Sequence, residues 1–286
     1  MDMKRNMILL MLATLCALSC NEKTPSVTVE GYTFFTADMD QVSMGTFRQD
    51  LVWEEGSYIG VYGSVQGDNE RYIMRKSGQG LSIAEFYGYN VKGEILAYSP
   101  YEETFSGSAE QLPLYLSPEQ TLYYEDWTDQ YLQWCPTACA ILKDGALDFH
   151  RPCGLLVVTF DIPETLKISS LRLSAEEEFL AGRYSFMKDG SVKAASNASG
   201  NVVLKCFGKD SKDVEGNVVG FPVVMLPGDY ASIELEVVLT DEEPFKCVFN
   251  DVQIRKMTDA GRSVTMVAVT AGGIEGFTPS DGYLEK

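Results

Sequence analysis

Four residues carry side chains that could ligate a soft metal ion, because zinc prefers sulfur and imidazole ligands. They follow the pattern Cys135-x-x-x-Cys139 and then His150-x-x-Cys153. The spacing is not that of a zinc ribbon or finger, and His150 and Cys153 lie at a predicted strand start, where their side chains would point to opposite faces. We favour buried free thiols over a Cys135–Cys139 disulfide and over zinc. No metal site and no cofactor is therefore predicted.

Hydrolytic chemistry has little support in the sequence. His150 is the only histidine, and no Gly-x-Ser-x-Gly elbow accompanies it. The 41 aspartates and glutamates supply many carboxylates, but nothing singles out a pair with the separation that glycoside hydrolysis needs. His150 is interpreted as a structural strand residue. No catalytic residue is assigned, and the protein is predicted not to be an enzyme.

A cluster of aromatic residues could form a platform on which sugar rings stack. Its five members lie within twelve positions: Tyr123, Tyr124, Trp127, Tyr131 and Trp134. We favour packing of this segment as a loop against the first domain, because aromatic side chains serve mainly in cores and interfaces. Joint exposure of these rings would instead support an alternative function, that of a surface glycan-binding lipoprotein.

The first residues form an export signal. Lys4 and Arg5 precede the apolar run Met7–Leu18, which is typical of a secretory signal peptide. As a helix this run would be about 18 Å long, too short to cross a bilayer. It ends in a lipobox-like motif, in which a small residue precedes Cys20; the rival Cys16 follows a bulky residue. We predict that Cys20 is acylated and becomes the mature N-terminus.

The composition indicates a packed, acidic protein. Hydrophobic residues make up 45% of the chain, enough for a sizeable core, and the formal net charge is −18. Nucleic acid is excluded as a partner, because phosphate binding requires clustered Lys and Arg. The acidic residues are spread in small groups and are interpreted as a solvated surface. Five cysteines follow Cys20, an odd number that cannot all pair within one chain.

Short β-type runs separated by Gly, Pro, Asn and Asp continue from Tyr32 to the end of the chain. Alternation is strict in Ile233-Glu234-Leu235-Glu236-Val237, which indicates strands with one face on a core. Many short strands at this spacing predict β-sandwiches. The predicted organisation is a signal peptide over 1–19, a lipidated tether over 20–29, and β-sandwich domains over 30–145 and 146–286. The boundary is placed at the turn-like Lys143-Asp144-Gly145.

Five segments of the chain form a recognisable series. In order, they are Phe34-Phe35-Thr36-Ala37, Trp53-Glu54-Glu55-Gly56-Ser57-Tyr58-Ile59-Gly60-Val61-Tyr62, Ala97-Tyr98-Ser99-Pro100-Tyr101, Leu112-Pro113 with Gln120, and Leu147-Asp148-Phe149-His150. In this order they resemble the fimbrillin-like lipoproteins of Bacteroidia, which build type V pili. One departure is Ser57, where the family pattern Trp-x-x-Gly-Asp-x-Ile has aspartate. The resemblance implies two transthyretin-like β-sandwich domains, in agreement with the strand pattern.

The same resemblance implies a tip, stalk or anchor subunit of an adhesive surface fimbria, attached to the outer membrane through its lipid. The implied partners are other pilus subunits and a receptor on a host or bacterial surface. In this family, stalk subunits polymerise when a protease removes an N-terminal strand after an arginine and a strand of another subunit fills the groove, which is β-augmentation. Arg48, between the first strand and Trp53, is the candidate processing site. An ordinary solvated loop arginine is the alternative interpretation.

Overall fold

The structure is a computed structural model that describes residues 32–39, 42–44, 47–49, 52–65, 67–123, 133–161, 168–207, 220–240, 243–257, 264–270 and 277–278. These residues are almost entirely β, which confirms the predicted all-β class. One 3-10 helix is described, Lys76–Gly78. The strands are β1 (Tyr32–Met39), β2 (Val42–Met44), β3 (Phe47–Gln49), β4 (Tyr58–Gly63), β5 (Glu70–Met74), β6 (Ile83–Tyr89), β7 (Ile95–Ser99), β8 (Gln111–Leu116), β9 (Glu119–Tyr123), β10 (Ala138–Lys143), β11 (Ala146–Phe149), β12 (Gly154–Asp161), β13 (Ile168–Ser174), β14 (Gly182–Met187), β15 (Val192–Ala194), β16 (Asn201–Phe207), β17 (Gly220–Met225), β18 (Gly228–Leu239), β19 (Phe245–Ile254), β20 (Val264–Thr270) and β21 (Phe277–Thr278).

The first sheet closes on itself as a seven-stranded barrel in the order β1-β11-β10-β7-β4-β5-β6. Closure gives each of these strands a neighbour on both sides, whereas the predicted sandwich would have left free sheet edges. Trp53 fills the interior. Its ring meets Phe86 edge-on at 4.7 Å between centroids and Phe149 at 5.5 Å. Trp53 and Ile59 are both buried in this core.

A tight turn aims Trp53 into the barrel just before β4. Gly56 takes the left-handed conformation with φ +80°, which a residue with a Cβ adopts only with strain. The Ser57 hydroxyl accepts a hydrogen bond from the Glu54 N–H at 3.1 Å and donates one to the Glu54 carbonyl at 2.8 Å. Serine at this position therefore closes the turn through its own side chain, although the related pattern has aspartate.

One wall of the barrel is buried on both faces. In β7, Ile95 and Ala97 point into the barrel, while Leu96 and Tyr98 point outwards into a second core. A strand covered on both sides is expected to be a continuous apolar run rather than an alternating one. The outer faces of β1, β5 and β6 form the wall that remains exposed.

The second core is built from four-, five- and three-stranded sheets, in the orders β17-β12-β20-β21, β19-β18-β13-β16-β9 and β15-β14-β8. Strand β18 shows the predicted alternation, because Ile233, Leu235 and Val237 are buried and the glutamates between them are half-buried. The connection Leu226-Pro227 is a corner, because it leads from β17 in one sheet to β18 in another. Strands β2 and β3 form a separate two-stranded sheet.

The sheets do not divide at the predicted boundary. Asp144 and Gly145 both have positive φ and form the turn of the β10–β11 hairpin, in which Leu142 faces Leu147. Strand β11 is thus a barrel strand. Conversely, β8 and β9 precede the boundary but pair with β14 and β16 of the second core. A local turn signal cannot distinguish a hairpin from a domain junction, and the division at 145/146 stays a prediction.

Among the described residues, no helix is both long and apolar enough to cross a membrane.

Candidate functional site

Strand β1 closes the barrel by filling the gap between β6 and β11. It pairs antiparallel with β6, from Tyr32 opposite Tyr89 to Asp38 opposite Ile83. Inwards, Phe35 and Ala37 are buried, and the Phe35 ring stacks on Tyr72 at 5.3 Å between centroids. The run Tyr32–Thr36 therefore pairs inside the barrel. Removing β1 would leave an apolar slot with one large and one small pocket, flanked by unpaired backbone groups.

The two halves of β1 are held differently. The parallel ladder with β11 runs only from Thr36 opposite Ala146 to Met39 opposite Phe149. Residues 32–35 therefore pair with β6 alone among the described strands. Because each lost backbone pairing must be replaced, the half held on one side costs less to detach than the half held on two.

Arg48 lies in β3, paired with Ser43 of β2 in a three-residue ladder. The sequence pattern did not predict this hairpin. An isolated two-stranded ribbon is marginally stable in water, so local opening of its backbone is inexpensive. Cleavage after Arg48 would remove β1 and β2 together from the rest of the chain.

Three of the candidate metal ligands lie in the second core as buried thiols. Cys139 pairs with His150 through its backbone, the Cys139 N–H donating to the His150 carbonyl at 2.9 Å, and Cys153 Sγ is 3.3 Å from the Tyr184 hydroxyl. Burial raises the pKa of the Cys139 and Cys153 thiols well above the ordinary value, whereas the hydrogen bond with Cys153 lowers the pKa of the Cys135 thiol.

The remaining features of this cluster are structural. The His150 ring packs edge-on against Phe186, 5.6 Å between centroids, and Arg151 donates to the Cys135 carbonyl at 2.6 Å. Cys135 and Cys139 are not joined, and all five cysteines after Cys20 are free. Within the described ranges, no group of three or more His, Cys, Asp or Glu is arranged to hold a metal ion.

The predicted aromatic platform is only partly described. Tyr124, Trp127 and Tyr131 lie outside the described residues. Trp134 is half-buried and packs on the second core, whereas Tyr123 is exposed and stacks on Phe207 at 5.8 Å between centroids. The two described members therefore do not share one exposed surface. Cys20 and the tether 20–29 also lie outside the described residues, so the lipidation site stays a prediction.

The architecture is found in a solved structure. A proposed cell adhesion protein from Bacteroides ovatus matches with a TM-score of 0.50 and 17% identity, covering 83% of this chain and 91% of that one. The chain has the fold of that protein. This likeness is one of fold, and it agrees with the all-β class predicted from the sequence.

Two further solved structures are more distant. A proposed cell adhesion protein from Bacteroides uniformis gives a TM-score of 0.48 at 15% identity and covers 86% of this chain and 96% of that one. The tip fimbrial protein Mfa3 from Porphyromonas gingivalis gives 0.42 at 9% identity, over 83% of this chain and 95% of that one. No protein-family model matches the chain, and no curated protein matches its sequence.

Proposed function

We propose that this protein is a structural and adhesive subunit of a bacterial surface fimbria and that it joins its neighbours by β-strand donation. The observation that carries the proposal is the position of β1, an N-terminal strand that closes a barrel and is bound on both sides along only half of its length. A strand from another subunit could take the same place, since its backbone would restore the ladders and its side chains would refill the pockets of Phe35 and Ala37.

Arg48 is the proposed processing site within this function. The cut would fall in β3, whose described backbone pairing is the three-residue ladder with β2. The exposed slot then favours any extended segment with a large residue two positions before a small one, because inward side chains of a strand alternate. The partners are accordingly other fimbrial subunits, and a surface receptor for an adhesive subunit.

The test uses the purified mature chain and an arginine-specific protease. Wild type is expected to stay monomeric until treated and then to form multimers that resist sodium dodecyl sulfate. The matched control is Arg48→Lys, which keeps the charge but not the cleavage site, and it should remain monomeric under the same treatment. N-terminal sequencing of the product should begin at Gln49. Unfolding of the cut wild type, or a folded Arg48 bond that resists cleavage, argues against a stalk role and leaves a tip or anchor subunit.

Delivery to the outer membrane is the second part of the proposal. Acylation of Cys20 would tether the subunit by several acyl chains, enough for stable membrane attachment. Mass spectrometry of the cell-derived N-terminus should find Cys20 acylated and residues 1–19 absent. The Cys20→Ala variant should lose the lipid mass and leave the membrane fraction. An unmodified Cys20 in wild type contradicts this part without affecting strand donation.

A further inference from the structure

The exposed wall of the barrel carries a row of aromatic side chains on β1, β6 and β4, with an isoleucine of β5 in the row between them. Phe34 of β1 lies opposite Tyr87 of β6, Tyr87 opposite Ile73 of β5, and Ile73 opposite Tyr58 of β4. Tyr32 and Tyr89 continue the surface one pleat along. These six residues are called the aromatic face. Their outward position follows from the two-residue period of the strands, because their neighbours Phe35, Tyr72 and Phe86 are buried inside.

The rings are arranged as partly exposed, nearly parallel pairs. Tyr32 and Tyr89 stack with centroids 5.6 Å apart and planes inclined by 18°, and Phe34 and Tyr87 stack at 6.1 Å and 29°. Tyr89 is 66% exposed and Tyr32 is 39% exposed. Aromatic side chains at this exposure leave apolar surface in water, which favours a ligand that covers them.

Charged groups border the rings on both sides. The Arg71 guanidinium lies over the Tyr58 ring at 5.2 Å, and the Arg75 guanidinium lies over the Phe34 ring at 5.2 Å. Arg75 also pairs with Glu85 at 2.6 Å. Within the described part of the chain, Arg71 has no carboxylate partner, so its donors are available to a ligand.

Two adjoining grooves run over the face and share Tyr32, Ile73 and Tyr87. The first, about 680 Å³, is bordered by Glu55, Arg75 and Lys76. The second, about 490 Å³, is bordered by Glu70, Arg71 and Glu103. Each has the size of a small-ligand site, and each combines hydrogen-bond donors with carboxylate acceptors.

This combination fits a carbohydrate. A sugar ring presents an apolar C–H face, which packs on an aromatic ring, and hydroxyl groups, which both donate and accept hydrogen bonds. The cations Arg71, Arg75 and Lys76 are offset by the carboxylates of Glu55, Glu70 and Glu103. The face therefore has no excess of positive charge that would attract an acidic peptide, and the net charge of −18 would repel a nucleic acid. We propose that the aromatic face binds an oligosaccharide, with sugar rings stacked on its aromatic side chains in the two adjoining grooves.

The test is independent of the proposed fimbrial function, because it uses the uncleaved mature chain with Arg48 intact. The probe is a printed array of bacterial and mammalian oligosaccharides, neutral and acidic. Wild type should bind at least one, and Tyr89→Ala and Arg71→Ala should each weaken that binding by about tenfold or more. The matched control is Tyr115→Ala, which removes a ring that is 60% exposed on β8, away from the face, and should bind like wild type.

Circular dichroism and the melting temperature of each variant establish that it is folded. Arg71→Ala keeps the test decisive if the tyrosine variant fails to fold. The proposal is overturned if wild type binds no oligosaccharide, if binding survives both face variants, or if Tyr115→Ala loses binding to the same extent.

Discussion

One glycine of the barrel, Gly60, lies beneath a buried tyrosine ring, where a larger residue has no room. Gly60 of β4 lies opposite Tyr98 of β7, and a Cβ added at residue 60 would lie 2.0 Å from the Tyr98 ring. The Tyr98 hydroxyl in turn accepts from Asn69 Nδ2 at 2.9 Å and donates to the Glu102 carbonyl at 2.9 Å. The glycine therefore leaves room for a buried ring whose hydroxyl forms hydrogen bonds to two neighbouring loops.

We expect Gly60→Ala to destabilise the protein by about 2–3 kcal/mol, because the ring must leave its site and lose its hydrogen bonds. Urea unfolding would measure the change. Gly67→Ala is the matched control, since a Cβ at residue 67 meets no atom within 4 Å, and it should change stability by less than about 0.5 kcal/mol. Equal losses in the two variants would mean that the ring is not held as described.

Two buried tyrosines should make the fold sensitive to alkaline pH. Burial raises the pKa of Tyr72 and of Tyr98 to about 12 from the ordinary 10.0. Between these values the folded chain holds protons that the unfolded chain releases. Their contribution to stability is therefore complete below pH 10 and is lost as the pH rises towards 12.

The check is the free energy of unfolding measured from neutral pH to about pH 11. Wild type should lose stability above pH 10, and Tyr98→Phe, which cannot ionise, should show a shallower decline over the same interval. If the stability of Tyr98→Phe declines as steeply as that of wild type, the ionisation of Tyr98 does not cause the loss.

At the scale of elements, Gln120 joins two sheets that share no strand. Its side chain on β9 accepts from the Val224 N–H at 3.0 Å and donates to the Val224 carbonyl at 2.6 Å. Strand β17, which carries Val224, is the outer strand of its sheet, and β9 is the outer strand of another. The amide thus satisfies the backbone groups that a neighbouring strand would otherwise pair.

Gln120→Leu should cost about 2–4 kcal/mol, because the Val224 N–H and carbonyl would be left buried without partners. Denaturant unfolding measures the loss. The comparison is Gln111→Leu, an exposed position on β8 that should be nearly neutral. A neutral Gln120→Leu would indicate that β17 and β9 separate freely enough for water to reach Val224.

Element type was predictable from the sequence, but sheet membership was not. The alternation in Ile233–Val237 determines a strand with one buried face, and β18 has it. The pairing of β8 with β14 and of β9 with β16 joins segments about 70 residues or more apart, and no local pattern encodes such partners. The turn at Lys143–Gly145 joins β10 to β11, and its residue types occur in hairpins and in linkers alike, so they do not identify a boundary by themselves.

The aromatic face was missed for a related reason. Strand β6 has aromatic residues on both sides, with Phe86 inside and Tyr87 and Tyr89 outside, so its composition does not show which ring is exposed. The signal that could have indicated it is Arg71-x-Ile73-x-Arg75, along β5 and the residue after it, where two cations flank an isoleucine at every second position and so mark the outward side. The aromatic cluster that suggested glycan binding from the sequence lies elsewhere, at residues 123–134.

At the scale of the whole molecule, the barrel and the second core are coupled through shared residues. Tyr62, Leu96 and Tyr98 belong to barrel strands but are buried in the second core. If the barrel alone unfolded, these three side chains would leave the second core and expose its apolar residues to water. We therefore expect both parts to unfold in one transition, without a state in which only the barrel is lost.

Native-state hydrogen exchange would test this coupling. Amides of β6 in the barrel and of β18 in the second core should approach one opening free energy as denaturant is added. Leu96→Ala should lower that value by about 3 kcal/mol in both strands, whereas Ile83→Ala, at an exposed barrel position, should leave it nearly unchanged. A loss confined to β6 would show that the two parts open independently.

The position of β1 has a consequence for ligand binding. Tyr32 and Phe34 of the aromatic face belong to the strand that processing would remove, whereas Ile73, Tyr87 and Tyr89 would stay. A saccharide that contacts Phe34 stabilises β1 in its place in the barrel. By linkage, the presence of β1 stabilises saccharide binding by the same free energy. Sugar capture and polymerisation would then compete within one subunit, and a processed subunit would regain a complete site only if the incoming strand carried aromatic residues at the matching outward positions. In an assembled fibre, the sugar specificity of each site would therefore depend on residues of two consecutive subunits.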